Sequence, residues 1–72
     1  MNILLTGING FVAGHLAERL LTNPAHRLWG VARSDTLALP ALRGRVELLS
    51  FDLRDTSALR QAIADIKPDA IV

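Results

Sequence analysis

An apolar run, Ile3-Leu4-Leu5, leads directly into Thr6-Gly7-Ile8-Asn9-Gly10-Phe11-Val12-Ala13-Gly14 and then into an amphipathic stretch ending at Leu21. No other part of the chain restricts its fold as much. Consecutive apolar residues in a short run predict a strand buried on both faces, from Asn2 to Thr6. Gly7 to Gly10 then form a turn. Phe11 to Leu21 reads as a helix, with Ala13, Leu16, Ala17 and Leu20 on one stripe and Glu18 and Arg19 off it. Strand, glycine turn and helix in this order make a place for phosphate. The first N–H groups of a helix lack intrahelical partners, and the helix dipole adds partial positive charge beside them. Gly7 permits the tight exit from the strand, and Gly10 has no Cβ to hold a phosphate off the backbone. Ala13 takes the third small-residue place, with Gly14 next to it. A tight turn that binds nothing is the plain alternative.

The rest of the chain repeats the alternation. Arg27 to Ala32 is a second strand, reached after Thr22-Asn23-Pro24 ends the helix. Arg33 to Gly44 is irregular, with Pro40 and Gly44 as breakers and a short helix expected over 36–39. Arg45 to Phe51 contains a third strand. Asp52-Leu53-Arg54-Asp55 leads into a second helix, Ser57 to Ile66, capped by Asp55 or Thr56. Leu59, Ala62, Ile63 and Ile66 form its apolar stripe. Pro68 closes it, and Asp69 to Val72 begins a fourth strand. The predicted fold is α/β: a partial Rossmann-like parallel sheet, β-α-β-β-α-β, in strand order 3-2-1-4, with helices on both faces. The chain stops inside an apolar run, so residues 1–72 are expected to be the N-terminal part of a longer dinucleotide-binding domain.

Bulk properties exclude several classes. Aromatic residues make up only 4% of the 72, so aliphatic side chains must build the core. The formal net charge is +1, and both signs are spread along the chain. With no basic stripe and no tyrosine, a nucleic-acid surface has no support. Cysteine is absent, which removes disulfides and thiolate metal sites and fits a cytoplasmic protein. No apolar run approaches the roughly 20 residues of a membrane span, and no signal peptide is visible. His15 and His26 lack partners at metal-ligand spacing and read as solvated; no metal is expected. Trp29, beside Leu28 on a strand, reads as packing.

The glycines are three residues apart, G-x-x-G rather than G-x-G-x-x-G. Thr6-Gly7-x-x-Gly10-Phe11-Val12, with His15-Leu16-Ala17-Glu18 and Leu20-Leu21, resembles the extended short-chain dehydrogenases/reductases, the NAD(P)-dependent epimerases, dehydratases and reductases of sugar nucleotides. Asp52-Leu53 and Lys67-Pro68-Asp69-Ala70-Ile71-Val72 are also similar to that family. Within it, the GDP-mannose 4,6-dehydratase and GDP-4-keto-6-deoxymannose reductase branch is the nearest in flavour. The resemblance implies that backbone groups of Asn9, Gly10, Phe11 and Val12 hold the pyrophosphate. It implies that Asp52 meets the adenine amino group and that Leu53 packs beside the base; a capping or helix-approach role is the alternative for Asp52. It also implies a nucleotide-sugar substrate and a homo-oligomeric parent.

The end of the second strand bears on the cofactor. An acidic residue there bonds the ribose hydroxyls, and an arginine accommodates a 2′-phosphate. Arg33-Ser34 stands there, so NADP(H) is read ahead of NAD(H). Asp35 reverses the preference if the loop turns back towards the ribose. The family's catalysis implies a Tyr-x-x-x-Lys pair. The chain has no tyrosine, and Lys67 is its only lysine. No catalytic residue is therefore expected within residues 1–72, and the segment alone is expected to be inactive. A non-catalytic NADP(H)-binding or assembly module is the competing reading.

Overall fold

The computed structural model describes residues 1–72. Four parallel strands form one sheet in the order β3-β2-β1-β4. They are β1 (Asn2–Thr6), β2 (Arg27–Ala32), β3 (Val46–Ser50) and β4 (Ala70–Ile71), with helices α1 (Phe11–Leu20) and α2 (Thr56–Ile66) between them. Strand order and element sequence are those expected. β1 is central: Asn2 to Thr6 pairs with Arg27 to Val31 on one side, and Ile3 and Leu4 pair with Ala70 and Ile71 on the other. That position explains why Leu4 and Leu5 are wholly buried, each such burial contributing about 2 kcal/mol.

The side-chain alternation of the strands splits the core in two. On one face Ile3, Leu5, Leu28 and Val46 pack with Ile8, Ala17, Leu37 and Leu42. On the other Leu4, Trp29 and Val31 pack with half-buried Leu49, Phe51, Ile63 and Ile66. α1 therefore covers the first face and α2 the second. Trp29 is buried as expected, and the Arg27 guanidinium lies 5.1 Å from its ring centroid.

The ends of α2 are set by local chemistry. Asp55, not Thr56, is the cap: its carboxylate accepts the Ala58 N–H at 3.0 Å. Lys67 terminates the helix in the left-handed region, at φ 51°, where glycine is the usual occupant. Asp69 then seats β4. Its carboxylate accepts the Asn2 N–H at 2.7 Å, and its own N–H donates to the Asn2 carbonyl at 2.7 Å.

Two expectations need correction. Residues 36–39 are not helical; a 3-10 turn occupies Pro40–Leu42 instead. Pro40 opens that turn rather than breaking one, because its fixed φ suits a first helical position and its missing N–H is not needed there. Leu39, before the proline, is extended, as its clash with the ring requires. This segment closes the first face beside α1, with Leu37 and Leu42 buried. Arg43 ties it down, donating from Nε and Nη2 to the Leu37 carbonyl at 3.1 and 3.0 Å. His26 also differs from its solvated reading. It is half-buried, and its Nδ1 is sealed from solvent without a partner. The neighbouring backbone holds it there: Arg27 N–H donates to the Met1 carbonyl, and the Met1 amino group donates to the Ala25 carbonyl, both at 2.9 Å.

Candidate nucleotide-binding site

Gly7 leaves β1 at φ +61°, a conformation that favours glycine. The chain folds back so that the Gly10 N–H reaches the Gly7 carbonyl at 2.8 Å. Gly10 is the N-cap of α1, and no side chain caps the helix. The first intrahelical bond runs from the Gly14 N–H to the Gly10 carbonyl at 3.0 Å. The N–H groups of Phe11, Val12 and Ala13 precede it and have no carbonyl to meet within the helix. No acidic side chain stands in the first turn. The arrangement is complementary to an anion by both hydrogen bonding and dipole. The side chains of Phe11 and Val12 are exposed, and the Phe11 ring meets His15 edge-on at 4.5 Å.

Of the two small residues offered for close packing at the helix start, Gly14 takes the role and Ala13 does not. Ala13 is half-buried, whereas Gly14 is buried, and a Cβ on Gly14 would lie 2.6 Å from Leu39 Cδ1. The tightest approach is at Gly30, in the middle of β2. A Cβ there would lie 2.6, 2.7 and 3.0 Å from Cγ1, Cβ and Cγ2 of Ile8. Ile8 belongs to the glycine turn, and its N–H donates to the Val31 carbonyl at 3.1 Å. The turn is therefore seated on β2 through a glycine that went unremarked in the sequence. Its signal is glycine inside a strand, which marks a close approach of another segment.

Next to the turn, at the C-terminal ends of β1, β2 and β3, lies a cavity of about 190 Å³ lined by Gly7, Val31, Ala32, Arg33, Phe51, Asp52 and Leu53. It brings four of the predicted residues together: Gly7, Arg33, Asp52 and Leu53. Val31, Ala32 and Phe51 complete the apolar wall and were not singled out. Ser34 and Asn9 stand beside it but bond to each other, Asn9 Nδ2 donating to Ser34 Oγ at 3.0 Å. The Ser34 hydroxyl in turn donates to the Thr36 carbonyl at 2.9 Å. A larger hollow of about 310 Å³ at the other end of β2 and β3 contains none of the predicted residues.

Asp52 carries the one ion pair of the site. Its carboxylate accepts from Arg54 Nη2 at 2.8 Å, from Nε at 3.2 and 3.3 Å, and from the Arg54 backbone N–H at 2.9 Å. The side-chain bonds from Arg54, then its backbone N–H and the charge of Arg33, hold the Asp52 carboxyl below its ordinary range. Asp52 is therefore an anion, and an acceptor only, at neutral pH. A depressed carboxylate pKa stabilises the fold above the unfolded value, and that contribution disappears as pH falls through the lower folded value. Arg54→Ala is expected to move the Asp52 titration upward towards ordinary aspartate, as read by NMR of the carboxyl carbon. An unmoved midpoint would assign the depression to another group.

The profile of the NAD dependent epimerase/dehydratase family matches residues 3–72. The chain belongs to that family. Among solved structures of similar proteins, a candidate epimerase from Burkholderia cenocepacia is 38% identical, with a TM-score of 0.83 over 97% of this chain and 23% of its own. UDP-glucuronic acid 4-epimerase from Bacillus cereus, solved in complex with NAD, is 30% identical, with a TM-score of 0.77 over 99% of this chain and 25% of its own. WbmH from Bordetella bronchiseptica, in complex with NAD+, is 26% identical, with a TM-score of 0.79 over 97% and 24%. The chain thus spans about a quarter of the length of these relatives. No helix is long and apolar enough to cross a membrane.

Proposed function

We propose that residues 1–72 hold the adenosine diphosphate half of a nicotinamide dinucleotide in an epimerase, dehydratase or reductase of sugar nucleotides. The observation that carries this reading is the adjacency of the uncapped α1 N-terminus and the cavity at the ends of β2 and β3. One takes a pyrophosphate on backbone N–H groups; the other is walled by apolar residues and ended by Asp52 and Arg33. The residues fit the cofactor: Gly10 leaves the helix start open, Leu53 and Phe51 flank an adenine, and the ionised Asp52 accepts from its amino group in exchange for the exposed Arg54. Two of the relatives described above were solved with NAD, which supports the dinucleotide class.

Arg33 favours NADP(H) within that class. Arg33 lines the cavity at the end of β2, and its guanidinium can give paired hydrogen bonds to a 2′-phosphate. The cofactor, when bound, supplies the hydride acceptor for the sugar. The residues of this segment bind and orient it. The tyrosine-lysine pair of the family reading is assigned to sequence beyond residue 72. The resemblance to the GDP-mannose 4,6-dehydratase and GDP-4-keto-6-deoxymannose reductase branch supports a GDP-linked hexose as the substrate.

Titration with NADPH and NADH, followed by nucleotide fluorescence, tests the reading. Arg33→Ala is expected to weaken NADPH about tenfold, the scale of one charge-assisted contact, and to leave NADH within about twofold. Equal losses for both would refute the 2′-phosphate assignment. Absence of binding by either nucleotide to the unaltered protein would refute the site.

A further inference from the structure

Asn9 sits in the middle of the glycine turn, yet its side-chain amide is given over to the segment that follows β2. Nδ2 donates to Ser34 Oγ at 3.0 Å and to the Thr36 carbonyl at 2.9 Å. Oδ1 accepts the Ala38 N–H at 2.7 Å. Both amide hydrogens are used, and only a group carrying donors and an acceptor can make all three contacts. The segment they hold has no strand or helix of its own between Ala32 and Pro40. Its other anchors, buried Leu37 and the Arg43 bonds to the Leu37 carbonyl, fix its far side. Asn9 is what connects the near side, where Arg33 and Ser34 stand, to the phosphate turn.

In an adenosine nucleotide the ribose bounds the distance between the 5′-phosphate and the 2′ position. A protein that discriminates at the 2′ position must therefore hold its phosphate turn and its 2′-facing residues at a matching distance. A segment already ordered on folding does not lose that freedom on binding. We propose that Asn9 is a positioning residue that locks the Arg33-Ser34 segment to the glycine turn and thereby sets which 2′ substituent the site accepts. This inference rests on the reading of the cavity as the adenosine site.

Two probes that differ only at the 2′ position test the relevant half of the cofactor: AMP and adenosine 2′,5′-bisphosphate. Their dissociation constants are measured calorimetrically for the unaltered protein, Asn9→Ala and Asn9→Asp. Asn9→Asp keeps the acceptor for Ala38 and removes both donations. The ratio of the two constants is expected to move towards one by about tenfold in Asn9→Ala, the scale of one or two net hydrogen bonds, and in the same direction in Asn9→Asp. A purely structural role would weaken both nucleotides equally and leave the ratio unchanged; that result overturns the proposal. So does failure of both variants to fold, which would assign Asn9 to the fold alone. If the unaltered protein binds neither nucleotide, the adenosine site itself is refuted. An unchanged ratio in a folded, binding variant refutes only the role of Asn9.

Discussion

Alanine at position 30 is expected to destabilise the protein by about 2–3 kcal/mol, the range for overpacking a filled core. For a domain of this size that is a fall of about 15 °C in the unfolding midpoint. Ordinary reasoning favours alanine over glycine inside a strand, because glycine loses more backbone entropy on folding. Here the added methyl meets Ile8 at 2.6 and 2.7 Å, and one of those atoms is the Ile8 Cβ, which no rotamer change can move away. Relief requires the glycine turn to lift off β2, breaking the Ile8 N–H bond to Val31. Loss of nucleotide affinity should accompany the loss of stability. Shortening Ile8 is the control. Ile8→Ala alone is expected to cost about 2–5 kcal/mol as a core truncation. In the double variant the two penalties should not add, with a coupling of at least about 1 kcal/mol. Additive losses in urea denaturation would show that the two residues do not share the space.

Valine at position 10 is expected to lower dinucleotide affinity at least about a hundredfold, equivalent to about 2.7 kcal/mol, while the protein remains folded. Gly10 is exposed and extended, at φ −73° and ψ 155°, a region that β-branched residues occupy readily. Its Cβ would stand 3.1 Å from the Gly7 carbonyl, a tight contact but not a core clash. The damage falls on the ligand. The branched side chain stands at the mouth of the α1 N-terminus, over the N–H groups that a pyrophosphate would use. Calorimetric titration with NADPH or NADH, beside a denaturation curve, separates the two effects. Unchanged affinity in a folded Gly10→Val protein would place the pyrophosphate elsewhere.

The sheet could be read from the sequence because each of its determinants is local. Apolar runs at Ile3-Leu4-Leu5 and Leu28-Trp29, helical stripes at Leu16-Ala17-Leu20 and Leu59-Ala62-Ile63, and breakers at Pro24 and Pro68 leave few alternatives to a parallel order of 3-2-1-4. What escaped is non-local. The path of residues 33–44 is set by the Asn9 amide and by Leu37 and Leu42 entering the core, and neither contact has a periodicity to detect. Pro40 carried a valid signal that has two meanings, breaker and first residue of a turn, and only tertiary context separates them. The choice between Asp55 and Thr56 as the α2 cap was likewise one of geometry. Of the candidate site, Gly7, Arg33, Asp52 and Leu53 meet at one cavity because all lie at strand ends, which the sequence does mark. Val31 lies inside β2 and Phe51 directly follows β3, where an apolar residue on a cavity wall looks the same as one in the core.

The divided core has a consequence for how the molecule opens. Eight buried side chains cluster on the α1 face and three on the α2 face, so the two sides do not resist solvent equally. Amides of α2 are therefore expected to exchange with solvent through partial opening, and those of β1 and α1 only on global unfolding. The proposed nucleotide cavity straddles this boundary, with Ala32 packed on the larger cluster and Val31 and Phe51 on the smaller one. A ligand seated there would act as a fastener between two sub-structures that otherwise come apart in sequence.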